Sequence, residues 1–193
     1  MGEIKTAYEK AMERVEKMNI AGVDLTDLEY VPKGHTAAAM FLDVKDFNVA
    51  AELGKYEEDN RVFVKRGMEE TFLRNIQLPR ADLTQENNKR AMEGLMAIKQ
   101  DRSALQQIFS ELEYLFHYYE QSLEHAYANL KESYSARLEQ AQDALERQTG
   151  TRVKYDVERH PGFQEEWLRT QGQLDSQYEA VLAEQKTKIG KIN

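Results

Sequence analysis

Four polar side chains in the middle of this 193-residue chain form a set able to ligate a metal ion. Glu113, His117, Glu120 and Glu124 are separated by steps of four, three and four, so on a helix they project from one face. One imidazole and three carboxylates suit iron, manganese or zinc. Di-iron bundles, however, draw a Glu-x-x-His pair from each of two helices. The residues three before His35, His117, His125 and His160 are Pro32, Tyr114, Ser122 and Val157, so that pattern is absent. The competing reading is a solvated acidic face, and no cofactor is expected.

A second candidate is the segment from Gly150 to His160. Val153, Tyr155 and Val157 alternate with charged residues, the period-two signature of a short extended stretch. Arg152, Lys154 and Arg159 outnumber Asp156 and Glu158 there. Arg152, Lys154, Tyr155, Arg159 and His160 are the residues expected to dock a protein partner, an exposed extended segment being able to pair with another chain. A packed hairpin loop is the alternative. Ser103–Leu130 forms the third candidate, with no Lys or Arg and with Phe109, Tyr114, Phe116, Tyr118, Tyr119 and Tyr127. A helix apolar on most sides is usually buried on most sides, so this is where elements converge; a ligand groove is the sharper possibility. Phosphate-cradling glycine loops and nucleophile elbows are missing from the sequence, so no enzyme is expected.

These candidates need helices to hold them. Pro32, Pro79 and Pro161 are the only prolines, and neither glycine nor proline occurs between Gly94 and Gly150. Residues 84–148 therefore read as one helix, with Thr84 as N-cap and Gly150 as a left-handed terminator. Its apolar stripe runs from Ile108 through Leu112, Tyr119, Leu130 and Leu138 to Leu145. The spacing of about 3.7 residues suits a bundle or straight hairpin better than a leucine zipper. Such a helix would be roughly 98 Å long, against about 40 Å for a compact globule of this size. The elongated shape depends on that helix being unbroken.

Around it, residues 3–18 form a predicted amphipathic helix and 19–35 a loop. Thr36 is expected to cap 37–44, and Asn48 to cap 49–55. Further helices are predicted over 60–76 and 161–189, the last folding back to about residue 119. The expected fold is all-α: a helical bundle head over 1–118, including the first half of the long helix, and a long antiparallel, coiled-coil-like two-helix arm over 119–193 with its turn at 149–160. An isolated helix pair is marginal, so a homodimer is expected.

The chain carries 34 acidic against 26 basic residues, net −8. That balance argues against direct nucleic-acid binding. No apolar run approaches the roughly 18 residues of a membrane span, and the start lacks the apolar core of a secretory leader. Without cysteine there is no disulfide and no thiolate chemistry. A cytoplasmic location and no membrane association are expected.

The opening Glu3-Ile4-Lys5-Thr6-Ala7-Tyr8-Glu9-Lys10-Ala11-Met12-Glu13 and the closing Phe163-Gln164-Glu165-Glu166-Trp167-Leu168 resemble a bacterial family of α-helical proteins of unknown function. The resemblance implies a helical fold and a bacterial cytoplasm, and no activity. The expected function is a non-enzymatic scaffold or adaptor that docks a protein partner. The alternative is a metal-binding or small-ligand-binding protein using the Glu113/His117/Glu120/Glu124 face.

Overall fold

The computed structural model describes residues 25–150 and 156–193. The predicted helix over 3–18 and the tip residues Arg152, Lys154 and Tyr155 lie outside them. Among the described residues every regular element is a helix: α1 Leu25–Asp43, α2 Val49–Leu53, α3 Glu58–Asn75, α4 Asp82–Ile98, α5 Arg102–Thr149 and α6 Pro161–Gly190. None is long and apolar enough to cross a membrane.

The all-α expectation holds, but the single helix over 84–148 does not. It breaks at Lys99-Gln100-Asp101, where Lys99 is extended (φ −96°, ψ 152°). Asp101 then starts α5, its carboxylate accepting the Ala104 amide at 3.0 Å. The break is held from several sides. The Lys99 side chain is buried, its ammonium 2.7 Å from Glu69 of α3 and donating to the Ile192 carbonyl. The Gln100 and Asp101 amides donate to the Asn193 carbonyl at 2.9 and 3.1 Å. A charged cap and tertiary partners thus end one helix and begin another without glycine or proline. The roughly 98 Å rod becomes α5 alone, about 72 Å at 1.5 Å per residue. Helix α4 also begins at Asp82, so Thr84 is not its cap.

The expected loop over 19–35 is corrected too: from Leu25 it is helical, and Pro32 and Gly34 lie inside α1. Both Pro32 and Leu28, whose carbonyl loses its amide partner, are on the exposed side, where water can serve that carbonyl. Thr36 is mid-helix, its hydroxyl donating to the Pro32 carbonyl. Gly34 is buried where α1 crosses α3: a methyl there would overlap the Val64 carbonyl, and one on Gly67 the Val31 carbonyl. Glycine here permits backbone-to-backbone contact. The Asn48 cap occurs as expected, accepting the Ala51 amide, and α6 starts at Pro161 as read.

One core runs through these helices. Phe72 sits at its centre, edge-on to Phe41 at 5.4 Å and pressed against the bare backbone of Gly94. Leu105, Leu112 and Tyr119 of α5 and Leu182 and Ile189 of α6 belong to the same core. Helix α6 therefore does not stop beside residue 119. It runs antiparallel along α5 from Tyr134, which contacts His160 and Phe163, to Glu111, which faces Lys188. Beyond Leu138 the α5 stripe becomes exposed at Ala141 and Leu145, past the start of α6.

Candidate functional site

The break at residues 99–101 folds α4 back along the first third of α5 and leaves a groove between them. Met92 and Met96 of α4 and Phe109 and Phe116 of α5 are half-buried and line it. It consists of two clefts, about 640 Å³ and 430 Å³, that share Lys89, Met92 and Glu113. Spanning the gap at one end, Gln85 donates from Nε2 to Glu120 at 2.5 Å. Methionine at i and i+4 places two flexible thioethers on one wall, and two aromatic rings seven residues apart face them from the other.

Three of the four residues in the predicted polar row lie along this groove. Glu113, His117 and Glu120 line it, whereas Glu124 is exposed and takes no part. Among the described residues no group of three His, Asp or Glu side chains is gathered so as to hold a metal ion. The reason is geometric: the four share one helix and α4 opposes them with Gln85, Asn88 and Lys89. Asn88 is itself turned to the α3–α4 connection, exchanging hydrogen bonds with Gln77 N–H and C=O at 2.8 and 2.7 Å.

At the far end of the hairpin, the described members of the predicted docking segment have local partners. Arg159 is exposed and pairs with Asp156 at 3.4 Å. His160 caps α6, Nδ1 accepting the Gly162 amide at 3.2 Å and lying 2.9 Å from the Tyr134 hydroxyl. An amide can only donate, so Nδ1 is an acceptor in this arrangement. Lys131 donates to Glu158, which holds that carboxyl below its ordinary range. Residues 157–159 form a turn; Val153 and Tyr155 of the expected extended stretch lie outside the described residues.

Between groove and tip a polar lock ties three segments together. The buried Tyr119 hydroxyl donates to Asp175 of α6 at 2.6 Å, and Arg80 of the α3–α4 connection binds the same carboxylate at 2.9 Å. Burial first, then the Asp175 contact, push the Tyr119 phenol up to about 12. The Tyr178 and Ser122 hydroxyls are 2.7 Å apart beside it. Of the aromatic residues in the tyrosine-rich stretch, Tyr119 and Tyr127 pack against α6, Phe109 and Phe116 line the groove, and Tyr114 and Tyr118 are exposed.

A family profile spans most of this framework, matching residues 50–191. The chain belongs to a family of unknown function, DUF6657. The match includes both walls of the groove and begins after α1. Comparison with curated proteins and with solved structures gave no significant match. The helical fold that the resemblance implied is the one observed. Lys89, Met92 and Met96 went unrecognised as site residues because a single 84–148 helix cannot face itself. The signal available was Asp101 three residues before Ala104, a capping arrangement as good as any glycine.

Proposed function

We propose that this protein is a non-enzymatic scaffold or adaptor and that it docks its protein partner in the groove between α4 and α5. The observation that carries the reading is that groove: an open apolar floor with a polar rim, built on two helices held from behind by a continuous core. Protein docking sites have this layout of apolar centre and polar margin. At the hairpin tip Arg159 and His160 are engaged in the turn itself, while Arg152, Lys154 and Tyr155 lie outside the described residues. The homodimer expected from sequence is proposed through a face other than this groove, and sedimentation tests it.

Because the chain has no cysteine, Ser110→Cys gives a unique attachment point on the groove wall for a benzophenone crosslinker. In native-host extract the labelled full-length protein should capture one partner. Once purified, that partner should bind the unmodified protein and not a Met92→Glu/Phe109→Glu variant. Equal binding by that folded variant removes the groove from the function.

A second reading, small-ligand or metal binding on the Glu113/His117/Glu120/Glu124 face, draws on the position of its first three residues beside the same apolar floor. Native mass spectrometry and elemental analysis of protein purified without chelators test it. A stoichiometric ligand lost on Glu113→Gln/Glu120→Gln would favour it.

A further inference from the structure

We infer that the element received by this groove is an amphipathic helix with basic residues flanking its apolar stripe; the inference rests on the docking reading above. Three observations lead there.

The first is the backbone of the walls. Both are helices whose amide and carbonyl groups are bonded internally, so they offer no edge for an added strand. Only a segment that satisfies its own backbone can enter an apolar groove without leaving polar groups unpaired. A helix does so.

The second is length. The lining runs from Gln85 to Met96 on α4 and from Gln106 to Glu120 on α5, roughly 16 and 21 Å. Three to four turns of helix cover that span, with side chains at i, i+4 and i+7 falling between Met92, Met96, Phe109 and Phe116. The cleft is open along its length, as a helix lying in it requires.

The third is charge. The α5 wall carries no Lys or Arg from Ser103 to Leu130, and it presents Glu113 and Glu120 to the groove, with Glu93 opposite. Lys89 is the cation among the described residues that line it. Arg90, next in sequence, donates to the Phe41, Val44 and Lys45 carbonyls at the end of α1 and pairs with Glu93 at 3.2 Å, so Glu113 and Glu120 carry the acidic edge. An acidic rim favours Lys and Arg at the margins of the guest and speeds its encounter. The same rim disfavours a second copy, since an isologous contact would bring Glu113 and Glu120 of both chains together.

The test uses full-length protein and three fluorescent peptides of about 18 residues. One has a leucine stripe with lysine flanks, one the same stripe with glutamate flanks, and one the lysine composition scrambled to break the stripe. The lysine-flanked helix should bind, weaken with salt, and exceed each of the other two by about tenfold or more. Met92→Glu/Phe109→Glu should abolish binding, and Arg159→Ala should leave it unchanged. As these core-side changes could unsettle the fold, a surface variant gives an independent reading: Glu113→Lys/Glu120→Lys should reverse the preference toward glutamate flanks. Equal binding of all three peptides, no binding, or an unreversed preference overturns the inference. So does crosslinking of Ser110→Cys to residues 3–18 of the same chain or to a second copy. If the peptides fail while a crosslinked partner still requires the groove, the docking reading stands and the helix assignment falls; if both fail, both fall.

Discussion

Tyr119 has no exposed surface, yet its hydroxyl reaches Asp175 and shares that carboxylate with Arg80. The phenol rises from its ordinary 10.0 to about 12, so the folded state holds the proton that the unfolded chain gives up first. Its contribution to stability is complete below pH 10 and disappears as pH climbs toward 12. Tyr119→Phe should cost about 2 kcal/mol at neutral pH, through loss of a hydrogen bond to a charged acceptor. It should also lessen the fall in stability between pH 10 and pH 12, read from urea unfolding at several pH values; an unchanged alkaline slope refutes this account. Gln185 behaves oppositely: its amide oxygen is buried and has no hydrogen-bond partner among the described residues. Gln185→Met keeps the length and removes the orphan acceptor, so the melting temperature should rise, by about 1 kcal/mol of stability. A fall in melting temperature would mean the oxygen is satisfied in solution. The Tyr119 position was legible as part of the α5 stripe. Its partner was not, because Asp175 lies 56 residues away and no local pattern joins them.

At the scale of the helices, periodicity located α3 and α6 to within a few residues, and the Asn48 cap and the Gly150 terminator (φ +71°) are where local chemistry puts them. Glycine and proline do not mark helix ends everywhere in this chain. Pro32 and Gly34 read as breakers but sit inside α1, because Gly34 is needed for the close crossing with Gly67. Conversely, the real break at residues 99–101 has neither residue. Gly34→Ala and Gly67→Ala should each destabilise by about 3 kcal/mol, since the added methyl meets backbone carbonyl rather than a side chain that can turn away. Denaturant unfolding measures this, and a loss below about 0.5 kcal/mol would show that the two helices can slide apart freely.

For the molecule as a whole, the shortened rod still sets the outline. Helix α5 has 48 residues, about 72 Å, and its last turns extend past the start of α6. Small-angle scattering should give a maximum dimension of at least about 72 Å, and a value near 40 Å would mean that α5 bends in solution. The groove exists only at this scale. Its floor residues are 13 to 24 positions apart in sequence and become neighbours because the Lys99 corner, anchored by Glu69 and the Ile192 carbonyl, turns α4 back on α5.

By itself the sequence determined most of the helical stretches (25–35 and the break at 99–101 excepted), the all-α class, and the absence of familiar catalytic motifs, since these follow from spacing, capping and composition within a few turns of chain. Only the tertiary structure decided that residues 84–148 are two helices, that Glu113, His117 and Glu120 border a groove between α4 and α5, and that His160 serves the turn. Each of these depends on a partner distant along the chain: a buried lysine paired across the core, a facing helix, a tyrosine on the neighbouring helix. Local periodicity carries no record of such partners.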